Sequence, residues 1–209
     1  MILLFLLLLQ DTFTLEEATR GLSPARGTLH ATIVTGFGDL ECDLFEDKAP
    51  LTVANFVGLA RGRRPWKDPR SGQWITGKPF YDGLVFHRII PGFMIQGGDV
   101  RGDGTGDPGY MLPSEADNGL VFDRPGLLAT AQMGAKINGS QFFISEMSTM
   151  PFLDQKVTIF GACGPLDVIR KLSRATRDDR NRPLAPLYMK KVRITRRRSA
   201  SAPAAAPAR

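Results

Sequence analysis

Two cysteines and two histidines are all that the 209 residues offer to soft-metal or imidazole chemistry. Cys42 and Cys163 have no CxxC spacing and no neighbouring histidine, which excludes the common zinc modules. Each sits in a strand-like run and reads as a buried thiol, with a single disulfide as the alternative if the chain is exported. No apolar run reaches the length that spans a bilayer; the most prominent, residues 2–9, has eight successive apolar side chains. Internal repeats are also missing, so solenoids and propellers are excluded. Acid is absent from the C-terminus: from Lys190 onward there are seven basic residues and no carboxylate. The formal charge of +6 therefore belongs to that end, and the body is close to neutral. A nucleic-acid-binding domain would spread its basic charge over a face or groove, so no specific nucleic-acid partner is expected.

Several motifs fail on inspection. Gly104–Gly109 (GTGDPG) matches GxGxxG, but it does not leave a buried strand or open a helix. Residues 72–78 (GQWITGK) begin like a P-loop, yet Pro79 stands where a hydroxyl should hold magnesium. Asp99, Asp103 and Asp107 lack calcium-loop spacing and read as solvated turn residues. Ser140 lies in NGSQF, which is not a nucleophile elbow. His87 precedes Arg88, so strand alternation points the two to opposite faces and gives His87 a structural role.

What is plentiful is glycine (22) and proline (15), in a chain that is 43% hydrophobic and 23% charged. That balance suits a soluble domain of short strands and turns. Residues 28–35 and 39–45 read as a hairpin, with Leu40, Cys42 and Leu44 on one face. Residues 47–60 read as a helix whose stripe is Val53, Phe56, Val57 and Ala60, with Pro50 in its first turn. Residues 61–79 form a long polar loop carrying Trp66 and Trp74, which are expected to pack down, with contact to a partner as the alternative. Further strands are expected near 127–131, 141–145, 157–160 and 188–195, and a second helix over 165–174.

The organisation follows. Residues 1–27 are expected to be a leader and linker. The start resembles the apolar region of a secretory signal, although no Lys or Arg precedes it and no A-x-A site follows. Export to a periplasmic or extracytoplasmic space is the expectation, with a cytoplasmic location as the alternative; membrane contact is expected at most through the leader. Residues 28–196 form the domain, and 197–209 a basic, Ala/Pro-rich tail that is expected to be disordered.

Three segments carry a resemblance. They are FHRIIPGFMIQGGD (residues 86–99), GLLATAQMGAKINGSQFFIS (126–145) and FLDQKVTIFG (152–161), and APLTVANFVGLARG (49–62) supports them. Together they resemble the cyclophilin family of peptidyl-prolyl isomerases, over roughly residues 28–196. The resemblance implies a mainly β fold: a closed eight-stranded antiparallel barrel capped by two α-helices, with an outer groove for an Xaa-Pro segment. It further implies isomerisation of Xaa-Pro bonds in support of protein folding, by a monomer acting on proline-containing polypeptides.

The chemistry agrees with the residues present. Rotation about a peptide bond must overcome about 18–20 kcal/mol of amide resonance, and no bond is cleaved. No nucleophile, metal or cofactor is required. A fixed cation that favours the twisted amide suffices, and Arg88 is the catalytic candidate. Phe93, Met94, Phe143 and Leu153 match the family's proline pocket. Gln96 and Gln141 match groove amides, and Ala131 and Gln132 the groove edge.

Three positions depart from the family pattern. Met133 replaces a small residue. Phe152 replaces a tryptophan common in eukaryotic members, so weak binding of cyclosporin is expected. Val157 stands at the pocket histidine position, where it keeps apolar contact but has no hydrogen bond to give. A binding module for proline segments, with weak or no turnover, is the alternative that Val157 and Met133 raise.

Overall fold

The computed structural model describes residues 13–23, 27–134 and 136–197. The expected leader over 1–12, the tail beyond 197 and the side chain of Met133 lie outside the described residues.

The first hairpin pairs β1 (Thr28–Val34) with β2 (Asp39–Leu44), and Ile33 lies opposite Leu40. Helix α2 (Pro50–Ala60) follows, with proline in its first turn as expected. It is buried almost all round, not along one stripe. The reason lies in residues that sequence reading places with the leader. Helix α1 (Leu15–Thr19) packs on α2, its N-terminus closed by a capping box between Thr14 and Glu17. Gly58 leaves room for this contact, since any side chain there would run into the Phe13 ring. Arg61 also donates to the Ala18 carbonyl, at 2.5 Å.

The long loop is not structureless. It contains a two-stranded ribbon, β3 (Trp66–Lys67) with β4 (Trp74–Ile75). The two tryptophans divide. Trp66 is buried against Phe80, whereas Trp74 is exposed and stacks on Tyr110.

The remaining elements are β5 (Arg88–Ile90), β6 (Met94–Gly97), β7 (Met111–Leu112), β8 (Leu127–Met133) and β9 (Lys136–Ser145), then a 3-10 turn (Pro151–Leu153), β10 (Ile159–Gly164), α3 (Leu166–Ser173) and β11 (Lys191–Arg197). The main sheet runs β11-β1-β2-β10-β8-β9-β6-β5, with β7 paired to β9, and its ladders are antiparallel.

Two parts of the expected architecture need correction. There are eleven strands among the described residues instead of eight, because short ribbons form inside the loops. The ladder is an open path ending at β5 and β11, not a closed ring. Across that gap the chain before β5 meets the chain before β11 through backbone bonds. Phe86 N donates to Leu187 O and Met189 N to Leu84 O. The helix count also differs, since α1 joins the two that were expected.

The cysteines form a disulfide, Cys42–Cys163, the alternative to the free thiols that were the first expectation. They face each other in the β2–β10 register, so the ladder itself brings the sulfurs together. At the C-terminus, Arg197 ends β11 instead of opening the tail. Arg196 pairs with Glu46 and Arg197 with Glu41, which accounts for two of the terminal cations. Among the described residues no helix is long and apolar enough to cross a membrane.

Candidate active site

The site begins with alternation. Strands β5 and β6 are joined by a turn at Pro91–Phe93, with Gly92 at a φ of 73°, a conformation suited to glycine. Register places Ile89 opposite Ile95, both fully buried in the main core with Phe142, Leu128 and Ile144. The intervening residues face the other way. Arg88 lies opposite Gln96 and Ile90 opposite Met94. Strand β9 continues this outer face, with Phe143 opposite Gln96 on one side and Ala129 on the other. A second apolar cluster forms there from Met94, Phe143, Ala129, Phe122, Met150 and Val157. One short sheet thus separates a core from the floor of a groove.

That floor opens into a cavity of about 220 Å³, lined by Arg88, Phe93, Met94, Gln96, Thr130, Ala131, Gln132, Phe143, Leu153 and Val157. Of the residues expected at the site, only Gln141 and Phe152 do not line it. Phe152 is half exposed and stacks on Phe93 with centroids 6.1 Å apart, so it extends one wall. Gln141 is buried behind Gln96.

The polar side of the cavity is a chain of amides. Arg88 Nη1 donates to Gln96 Oε1 at 3.4 Å, and Gln96 Nε2 donates to Gln141 Oε1 at 3.0 Å. Gln141 Nε2 donates in turn to the carbonyls of Gly104 and Gly106, at 3.0 and 2.8 Å. The loop that carries those carbonyls is built on Asp99. Its carboxylate accepts the backbone amides of Arg101, Asp103 and Gly104. Asp99 is 1% exposed, so it is a buried loop anchor and not the solvated turn residue expected. No cluster of His, Cys, Asp or Glu suited to a metal occurs among the described residues.

The Arg88 guanidinium is exposed and meets no carboxylate within ion-pair distance among the described residues. It stands as an uncompensated cation at the rim of an apolar pocket. The other wall comes from a β-bulge between Thr130 and Gln132, which turns Ala131 toward the groove. Gln132 Nε2 ties this edge to the Lys156 carbonyl, at 2.7 Å. Val157 is buried at the back of the cavity and brings only methyl groups there.

Sequence reasoning missed two contributors. Thr130, though buried, lines the cavity while its hydroxyl accepts the Thr158 amide; the strand pattern carries no mark of the bulge that begins there. Glu146 holds the β5–β6 turn in place. It accepts the Gly92 amide, the Ser173 hydroxyl and an Arg174 guanidinium N–H, and its own amide donates to Phe93 O. Those partners are far from it in sequence. His87, expected to point away from Arg88, does not line the Phe93 cavity but shares an adjoining one with Arg88, because it lies just before β5 and outside the strand alternation.

Comparison with known proteins points one way. Residues 30–194 match the family model described as cyclophilin type peptidyl-prolyl cis-trans isomerase/CLD. The chain is 44% identical over 171 residues to peptidyl-prolyl cis-trans isomerase A of Mycobacterium tuberculosis, covering 80% of this chain and 93% of that one. It is 51% identical over 133 residues to peptidyl-prolyl cis-trans isomerase B of Streptomyces anulatus, covering 64% and 75%. Among solved structures it resembles a cyclophilin type peptidyl-prolyl cis-trans isomerase of Cryptosporidium parvum, with TM-score 0.68, 31% identity and coverage of 81% and 99%. A second structure of that protein, in the presence of the dipeptide Ala-Pro, gives TM-score 0.65 at 31% identity, covering 78% and 96%.

Proposed function

This chain belongs to the cyclophilin-type peptidyl-prolyl cis-trans isomerases, and we propose that it rotates Xaa-Pro bonds of polypeptides in the groove between Arg88 and Val157. The proline ring sits among Phe93, Met94, Phe143, Leu153 and Val157, which hold it while the preceding carbonyl swings. As the amide twists, the proline nitrogen becomes pyramidal and regains its lone pair. Arg88 donates to that nitrogen or to the proline carbonyl, and so favours the twisted state over the planar one. Gln96 and Gln141 keep the guanidinium at the rim. The observation that carries this reading is the position of Arg88, which has no carboxylate partner among the described residues and is tethered by an amide chain beside a cavity with an apolar floor.

In this reading the curled sheet is barrel-like, its open side bridged by the backbone bonds that link the segments before β5 and β11. We also propose that the protein is exported, works as a monomer and serves folding. The disulfide and the apolar N-terminal run support export. Its clients are proline-containing chains in unfolded segments, where the uncatalysed step takes tens of seconds or more.

Val157 favours a second reading, a groove that binds proline segments with little turnover. Exchange spectroscopy on an Ala-Pro peptide separates the two. Cis–trans exchange accelerated at substoichiometric protein supports the isomerase. Line broadening from binding, with no gain in exchange rate, would establish the binding module instead.

A further inference from the structure

Beside the proline groove lies a larger cavity of about 490 Å³ that shares Arg88 and Gln96 with it. Its remaining walls come from His87, Asp103 and Gly104, and from Asp178, Arg180 and Arg182 of the loop after α3. Three guanidiniums therefore face two carboxylates. Both acids are already engaged by their own loops. Asp103 accepts the amide and the hydroxyl of Thr105, and Asp178 accepts the amides of Arg180 and Arg182. The guanidiniums of Arg180 and Arg182 have no hydrogen bond or ion pair among the described residues. Three guanidiniums against two carboxylates leave the wall with one positive charge in excess, and among the described residues Arg180 and Arg182 are free to turn toward an anion.

A second observation is independent of charge. His87 is 6% exposed, and both of its ring nitrogens are buried without a hydrogen-bond partner among the described residues. Orphaned polar atoms of this kind are rare in folded proteins and mark places where a further group belongs. The ring lies against the backbone of Gly104, where even a methyl group would come within 3.8 Å of Nε2. Burial pushes the imidazole below its usual range, against the opposing pull of Asp99. At neutral pH it is uncharged and can donate from one nitrogen.

We propose that this cavity is an anion-accepting subsite, which takes an acidic side chain flanking the proline held in the neighbouring groove. Guanidinium forks match carboxylate and phosphate oxygens alike, so glutamate, aspartate and a phosphorylated side chain share the chemistry it recognises. The inference rests on the isomerase reading, because Arg88 borders both cavities.

The test is a peptide series built on Ala-Pro, in which one flanking residue at a time becomes glutamate or phosphoserine. For wild type, kcat/KM at one flanking position is expected to exceed that of the alanine parent by about threefold to tenfold, the range of a partly exposed ion pair or two. The ratio should shrink as salt is raised. It should fall to about one in the R180Q/R182Q double variant and persist in R180K/R182K, whatever the absolute rates. The glutamate and phosphoserine arms show which anion is preferred. No flanking position with a ratio above one, or a ratio unchanged in R180Q/R182Q, would overturn the proposal. If even the alanine parent shows no accelerated exchange, the isomerase reading fails. The dissociation constants of the same peptides still decide the subsite, through their loss or retention of acid preference in R180Q/R182Q.

Discussion

Arg88 and Gln96 face each other across the β5–β6 ladder, and the amide oxygen of one receives a guanidinium N–H of the other. The contact is long, at 3.4 Å, so Gln96 steers Arg88 without immobilising it. Gln96 is itself fixed by Gln141, which reaches the Gly104 and Gly106 carbonyls. The Arg88 guanidinium is thus referenced to a loop that Asp99 organises.

Gln141→Leu tests that chain. It removes the brace on Gln96 and leaves two loop carbonyls without their amide donor, at a cost of about 1–3 kcal/mol in stability. A lower urea midpoint is expected, together with a loss in kcat that exceeds the change in peptide affinity. A normal kcat in a folded variant would remove Gln141 from the account.

Val157→Ala tests the ring pocket. Val157 is 5% exposed and contributes only apolar contact, so truncation should raise KM for Ala-Pro peptides and change kcat less. Losing a buried valine's contacts is worth up to about 1.5–3 kcal/mol. An unchanged KM would place the proline elsewhere.

Reduction of Cys42–Cys163 should destabilise the domain. The bridge spans 121 positions of sequence, so opening it frees a long loop in the unfolded chain and costs about 2–5 kcal/mol. Urea unfolding with and without reductant measures this, and coincident curves would mean that the bridge contributes nothing.

Glu146 predicts an acid limb. Burial pushes its carboxyl up, but bonds from Ser173, Arg174 and the Gly92 amide outweigh that and hold it below the ordinary 4.5. A group with a lowered folded value stabilises fully above its unfolded value and loses that contribution as pH falls through the folded one. Stability attributable to Glu146 is therefore present at neutral pH and disappears below about 4.5, the ordinary value. Glu146→Gln should be less stable at pH 7 and show a flatter decline in acid. Parallel pH profiles for the two proteins would contradict this.

Much of the groove was legible in the chain. Within the short strands at 88–90 and 94–97, alternation turns Ile89 and Ile95 inward and Arg88 and Gln96 outward. The family resemblance supplied the pocket residues that meet there. Other features depend on partners that no local pattern announces. Two cysteines so far apart cannot be paired by spacing, and only the β2–β10 register brings them together. The docking of α1 depends on the missing side chain of Gly58, and the Glu146 clamp on a helix that comes later in the chain. Trp66 and Trp74 differ in burial because a small ribbon, unmarked in the polar loop, turns one in and the other out.

The central claim is that Arg88 favours the twisted amide rather than merely gripping substrate. Arg88→Ala, assayed for exchange of an Ala-Pro peptide alongside the peptide's dissociation constant, tests it directly. The account predicts a fall in kcat of about 10²–10³, typical of deleting one donor aimed at the transition state, with affinity changed far less. A variant that binds as before and still turns over at the wild-type rate would contradict it.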